Sequence, residues 1–230
     1  MDHGYISENL RAVRENIDRI KRGTGIEREI TVVAAVKYAD ADEIRYLCTE
    51  GGVRELGENR VQQLLEHYEA LRGFDVNWHF IGTLQTNKVK YIADKVCMIH
   101  SVDSVRLARE IDKQAKKHGR IIDVLVEINS GAEESKSGVL PDEAEALCLE
   151  IGQLENIKLR GFMTMAPKCE KKEDYIKYFS QTYAKSLDIW TKKLHNISRP
   201  IISMGMSDSY GEAIECGADI VRIGRSLFIK

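Results

Sequence analysis

Short apolar runs recur along the chain, each set off by polar sequence. They are TVVAAV (31–36), VREL (53–56), WHFIG (78–82), VCMIHS (96–101), DVLVEIN (123–129), LRGFMTM (159–165), PIISMG (200–205) and DIVRIG (219–224). Runs this short, several of them rich in β-branched residues, read as buried strands. Between them, DADEIRYLCTEG, SVRLAREIDKQAKKHG and PDEAEALCLEIGQLEN carry apolar residues at helical spacing and begin or end on capping residues. A further helix over residues 8–21 precedes the first strand. Strand-then-helix alternation predicts parallel strands joined by helical crossovers, and eight such units favour a closed (β/α)8 TIM barrel over an open doubly wound sheet. Residues 1–230 then form one α/β domain with an extra N-terminal helix.

In such a barrel the chemistry lies where strands end and the following loops begin. The first strand stops at Lys37, although lysine is among the residues least often buried. At the rim, Lys37 would share one mouth with GEN (57–59), GTLQTN (82–87), MGMS (204–207) and GRS (224–226). Loops after strands seven and eight commonly hold a phosphate. Ser207 offers a hydroxyl there, Gly224 allows close backbone approach, and the N–H groups that follow open a helix. Arg222 shares the face of Gly224 by strand alternation. Its permanent charge demands a partner: either a carboxylate such as Glu58 or Asp219, or a ligand atom near the phosphate site.

Composition narrows the field. A net charge of −2 gives no reason to expect nucleic acid or an anionic membrane as partner, and 43% apolar with 30% charged residues is ordinary for a globular protein. No run approaches the roughly 18 apolar residues of a membrane span. The charged N-terminus lacks a signal peptide's apolar core, so the expected compartment is the cytoplasm. The five scattered cysteines show neither CxxC nor Cys/His ligand spacing, so neither a disulfide framework nor a metal site is expected.

An amine, a phosphate cradle and an arginine around one mouth suit pyridoxal 5′-phosphate (PLP). The lysine would form a Schiff base with the aldehyde, and burial would favour its neutral, nucleophilic form. Arg222 would face the pyridine nitrogen and keep it unprotonated, which weakens the ring as an electron sink. The stretches VAAVK, ELGENRVQQ, WHFIGTLQTNK, HSVDS, VLVEINSGAEESKSG, LRGFMTMAP and SMGMSDSYGEAIECGADIVRIG resemble the pyridoxal phosphate homeostasis protein family, from about residue 31 to residue 228. The resemblance implies a fold-type III PLP barrel without the C-terminal β domain of alanine racemase. It implies that Lys37 carries the cofactor, that Ser207 and the Gly224–Arg225 backbone bind phosphate, that Arg222 meets the ring nitrogen, and that Asn59 lies close by. It also implies a role in vitamin B6 homeostasis without catalytic turnover; client PLP enzymes as partners and a monomeric state are expectations beyond the resemblance. The sequence departs from the family pattern at Val36, where a serine is usual, and at Arg225, where threonine is common.

Two other functions are compatible with the same barrel. An amino-acid racemase needs an acid/base opposite the lysine. A Schiff-base aldolase or phosphosugar isomerase would use Lys37 or Glu58 on a phosphorylated substrate. The charged loop 130–138 reads first as a solvated segment, with Lys136 as a receiver for a ligand carboxylate the alternative, and Met163 and Met165 read first as core residues that would form an apolar wall if either reaches the ring. His79 reads as a satisfied interior histidine, His100 as a packed or surface one, and Tyr38 points to the face opposite Lys37.

Overall fold

A computed structural model describes residues 3–131, 137–192 and 199–230. Eight parallel strands pair in chain order: β1 (Thr31–Ala35), β2 (Glu55–Glu58), β3 (Asn77–Phe80), β4 (Val96–Val102), β5 (Ile122–Ile128), β6 (Ile157–Thr164), β7 (Ile201–Ser203) and β8 (Ile220–Ile223). Pairing of β8 back onto β1, with Val33 opposite Arg222, closes the barrel. Around it lie α1 (Gly4–Thr24), α2 (Ala41–Thr49), α3 (Val61–Ala70), α4 (Val105–Lys117), α5 (Ala144–Ile151), α6 (Lys172–Thr191), α7 (Tyr210–Glu215) and α8 (Arg225–Phe228).

Local sequence explains the helix starts. The Asp40 carboxylate accepts from the N–H groups of Asp42 and Glu43, and Glu43 reaches back to the Asp40 N–H, a reciprocal cap that fixes the entry into α2. Ser104 Oγ accepts from Leu107 N at the start of α4, which buries Leu107, Ala108 and Ile111 against the sheet. Burying one such leucine or isoleucine contributes about 1.5–3 kcal/mol.

Alternation along each strand produces two cores. Outward residues such as Leu56, Phe80, Ile99 and Phe162 pack beneath the helices, while Val33, Met98, Leu125, Met163 and Ile220 fill the barrel interior. Both faces are therefore buried, which is why several strands read as continuous apolar runs.

Most boundaries differ from the sequence reading by one or more residues, and the first helix runs Gly4–Thr24 instead of 8–21. The second strand lies two residues later than VREL, because Gly57 and Glu58 belong to it. Gly57 turns inward, where a Cβ would meet Val33 Cγ1 at 2.8 Å and Ile81 Cδ1 at 2.9 Å, and Glu58 is buried against His67 of α3. Between β3 and β4 the crossover is a short 3-10 helix, Thr86–Tyr91, in place of an α-helix. The seventh strand stops at Ser203, since Gly205 turns the chain with φ +91°.

The extra helix has a structural task. With α8 only four residues long, α1 packs against α7 and α8 beside the β8–β1 seam. Asn9 Nδ2 donates to the carbonyls of Leu227 (3.2 Å) and Ile229 (2.8 Å), tying the helix to the last turn of the chain.

Candidate functional site

At the C-terminal mouth of the barrel a cavity of about 300 Å³ is lined by Lys37, Asn59, Ser207, Arg222, Gly224 and Arg225, together with Ala35, Tyr38, Ile81, Met165, Met206 and Asp208. All six residues singled out from the sequence thus meet on one surface. The strand ends bring them there: Lys37 follows β1, Asn59 follows β2, Ser207 follows β7, and Arg222 to Arg225 span the end of β8. The volume lies at the lower end of the range for small-molecule sites.

Lys37 sits two residues beyond β1, half-buried, with its Nζ 4.8 Å from the centre of the Tyr38 ring. Its carbonyl accepts from Gln63 Nε2 at 3.1 Å, which anchors the backbone under the amine. Tyr38 corrects the sequence reading. It leaves regular strand geometry, stands 77% exposed and lines the same cavity as the lysine. Asn59 is held by close packing, since a Cβ on Gly82 would stand 2.2 Å from the Asn59 carbonyl oxygen.

Arg222 is 3% exposed. Neither carboxylate considered for it is its partner. Glu58 bonds His67 at 2.7 Å, and Asp219 pairs with Arg28 and Arg199 at 3.6 and 2.8 Å. The guanidinium instead donates to Ser203 Oγ (2.8 Å) and to the Thr164 carbonyl (3.0 Å). Among the described residues no carboxylate comes within 4 Å of it. Burial pulls its pKa down to about 10, with the charge of Glu127 opposing. A buried cation on the cavity wall without a paired anion is suited to a ligand acceptor.

Behind Arg222 a hydrogen-bonded chain crosses the barrel interior. Ser203 Oγ lies 3.0 Å from His100 Nδ1, His100 Nε2 lies 2.9 Å from His79 Nδ1, and His79 Nε2 lies 2.6 Å from Glu55 Oε2. With both rings carrying hydrogen on Nε2, Ser203, His100 and His79 each donate once and accept once along the chain, while Arg222 donates at its head and Glu55 accepts at its foot. His79 and His100 are thus both satisfied interior histidines, and His100 is completely buried.

Burial holds the His100 pKa well below 6.5, and the charges of His79 and Arg222 push the same way. Unfolding exposes the ring and lets it bind a proton, so stability falls as pH drops below 6.5. The slope from this group is at most about 1.4 kcal/mol per pH unit. Thermal melts between pH 7 and pH 5 check this, and His100→Gln flattens the dependence. A slope unchanged in that variant would assign the acid sensitivity elsewhere.

The opposite wall is built from the β7 and β8 loops. Ser207 Oγ accepts from Ser226 N at 3.2 Å, joining the two loops. Gly224 lies against β1, where a Cβ would meet the Ala35 carbonyl oxygen at 2.9 Å. Of the first-turn N–H groups of α8, that of Leu227 donates to the Gly224 carbonyl at 2.9 Å, so those of Arg225 and Ser226 are the ones that can meet an anion. Arg225, on the rim, pairs its guanidinium with Asp208. Met165 forms part of the apolar wall, whereas Met163 is fully buried in the barrel core. Lys136 lies outside the described residues. No described helix is long and apolar enough to cross a membrane.

The physical features fit PLP. They comprise a primary amine, a buried cation with no carboxylate in direct contact and a wall at Ser207 and Gly224 suited to an anion, around one small cavity.

Comparison with known proteins points the same way. Residues 9–230 match the family model of the alanine racemase N-terminal domain. The chain is 42% identical to a pyridoxal phosphate homeostasis protein of Aquifex aeolicus, over 97% of this chain and 95% of that one. It is 32% identical to the protein of the same description in Escherichia coli K12, again over 97% and 95%. Among solved structures, one from Bifidobacterium adolescentis described as an unknown protein superposes with a TM-score of 0.89 at 30% identity, covering 99% of this chain and 97% of that one. PipY of Synechococcus elongatus, with PLP bound, superposes with a TM-score of 0.84 at 27% identity, covering 97% and 99%.

Proposed function

Because this chain belongs to the alanine racemase N-terminal domain family, alongside the pyridoxal phosphate homeostasis proteins, we propose that it binds PLP at the barrel mouth and serves cofactor homeostasis without catalytic turnover. The observation that carries this reading is the convergence of Lys37, Arg222 and the Ser207–Gly224 wall on one cavity. When bound, the cofactor supplies an aldehyde that condenses reversibly with a primary amine, together with a ring nitrogen and a phosphate. Lys37 Nζ is the amine. Ser207 Oγ and the backbone of Gly224 and Arg225 receive the phosphate, and Asn59 and Met165 complete the walls.

Arg222 contributes orientation. Fixed by Ser203 and the Thr164 carbonyl, it offers its remaining N–H groups to the ring nitrogen and opposes protonation there. A ring kept unprotonated is a weak electron sink, which supports storage over turnover. Arg225 contributes positive potential at the rim while engaged with Asp208, in place of the hydroxyl that a threonine would bring.

The protein acts in the cytoplasm, as a monomer that supplies client PLP enzymes. The most exposed apolar side chains among the described residues, Tyr38, Ile121 and Ile229, sit on separate segments of the chain.

The test is spectroscopic. Purified protein loaded with PLP shows visible absorbance that borohydride bleaches, and peptide mapping then recovers the cofactor on Lys37. Single amino-acid enantiomers in deuterated water acquire no α-deuterium. Cofactor trapped on another lysine, or deuterium incorporation, would overturn the reading.

A further inference from the structure

The foot of the barrel, opposite the mouth, holds a second cluster of chemistry-bearing groups. Glu55 of β2, His79 of β3 and Cys97 of β4 place a carboxylate oxygen, a ring nitrogen and a thiol within 4.8 Å of one another. Three features separate this cluster from a chance meeting of side chains.

The first is the backbone. Strand β4 carries a register shift: Trp78 pairs with Val96, the next pair is His79 with Met98, and Cys97 is skipped. A bulge of this kind re-aims a side chain. Plain alternation from the inward-facing Met98 would turn Cys97 toward the helices. The shift instead brings its sulfur beside the inward-facing His79 and Glu55, packed against the interior cluster.

The second is support from behind each ligand. His79 Nδ1 is held by His100 Nε2 at 2.9 Å, and Glu55 accepts from Asn77 Nδ2 at 2.6 Å. Metal-bound histidines and carboxylates are commonly oriented by such outer partners. The third is access. Glu55 and His79 open onto a cavity of about 370 Å³ at the barrel foot, bordered by Met98 and Ile220.

We propose that Glu55, His79 and Cys97 form a site for a borderline-soft divalent cation of the zinc class, with the fourth position open to water from the foot cavity. One thiolate, one imidazole and one carboxylate make a donor set that suits zinc, with bonds of about 2.0–2.3 Å in tetrahedral array. Thiolate and carboxylate together neutralise the dication. On binding, the thiol proton leaves to solvent and the His79 hydrogen moves from Nε2 to Nδ1, where it is donated to His100. His100 in turn carries its hydrogen on Nδ1 and donates it to Ser203, whose own hydroxyl hydrogen must turn to another acceptor, and the Trp78 carbonyl gives up the Cys97 thiol hydrogen it accepts at 3.2 Å. The carboxylate, now 2.6 Å from His79 Nε2, must withdraw to roughly the 3.3 Å spacing of adjacent tetrahedral ligands. Glu55 is half-exposed and has room to move.

The test needs no PLP, so its outcome is independent of the mouth site. Full-length protein stripped with a chelator is titrated with Co²⁺ as an optical stand-in, then with Zn²⁺ against a chromophoric chelator. One equivalent binds, with a sulfur-to-cobalt charge-transfer band and the strong visible bands of tetrahedral cobalt. Cys97→Ser removes the charge-transfer band, and Glu55→Gln weakens zinc at least tenfold, while circular dichroism shows both variants folded. Cys48→Ser leaves the spectrum unchanged. The proposal is overturned if the wild type fails to compete with the chelator, or if the band survives Cys97→Ser or is lost with Cys48→Ser.

Discussion

Lys37→Ala abolishes the visible absorbance of the PLP-loaded protein and leaves borohydride no attachment point in the barrel. The size of this effect follows from what the side chain does and does not touch. Lys37 lies beyond the end of β1, half-buried, and its Nζ contacts the exposed Tyr38 ring. The hydrogen bonds that fix the segment, from Gln63 Nε2 to the Lys37 carbonyl, from Val36 N to the Gly57 carbonyl and from Ala39 N to the Val36 carbonyl, all involve the backbone of residues 36–39 and survive the substitution. The fold should therefore lose no more than about 0.5 kcal/mol, as for a surface change. A near-wild-type melting temperature with complete loss of trapped cofactor is the expected pair of results. Lys37→Arg, which keeps the charge but supplies no comparable nucleophile, should behave the same way. Retention of borohydride-fixed PLP by either variant would remove Lys37 from the site.

The second large effect is structural. Gly82→Ala places a methyl group 2.2 Å from the Asn59 carbonyl oxygen and 2.7 Å from its Cα, both backbone atoms at the end of β2. Neither can yield without moving the segment that carries Asn59 into the cavity. Overpacking against backbone costs about 3 kcal/mol, which for a chain of this size lowers the melting temperature by about 6–12 °C. PLP retention should fall as well, because Asn59 is displaced. Gly57→Ala provides the control. There the new methyl meets the ends of Val33 and Ile81 side chains, which can adjust, so the loss is smaller. Equal melting temperatures for the two variants would refute the distinction.

The site was more legible in the sequence than the path of the chain around it. Lys37, Ser207, Arg222 and Gly224 could be placed on one rim because strand ends in a barrel share a face and their positions follow from run lengths. The partners of Arg222 could not. Glu58 and Asp219 were the carboxylates within view, but His67 and the Arg28–Arg199 pair claim them, while Ser203 and the Thr164 carbonyl come from neighbouring strands. Strand β2 was displaced because a glycine and a glutamate at its end do not read as buried, although one is covered by Val33 and the other by His67. The 3-10 helix after β3 was missed because TNKVKY is too short and polar to reveal its period. The grouping of Glu55, His79 and Cys97 had no local signal. The residues are far apart in sequence and meet through strand register and one bulge, which no spacing rule encodes.

The tie between Asn9 and the carbonyls of Leu227 and Ile229 spans 218 and 220 positions of the chain. During synthesis from the N-terminus, the apolar stripe of α1, Ile6, Leu10, Val13 and Ile17, is made first. Part of the surface that shelters it, α7 and α8, comes last. Contacts this distant in sequence slow folding, and apolar surface exposed meanwhile invites aggregation. The nascent barrel thus carries a helix that α2 shelters early and α7 and α8 shelter only late in synthesis.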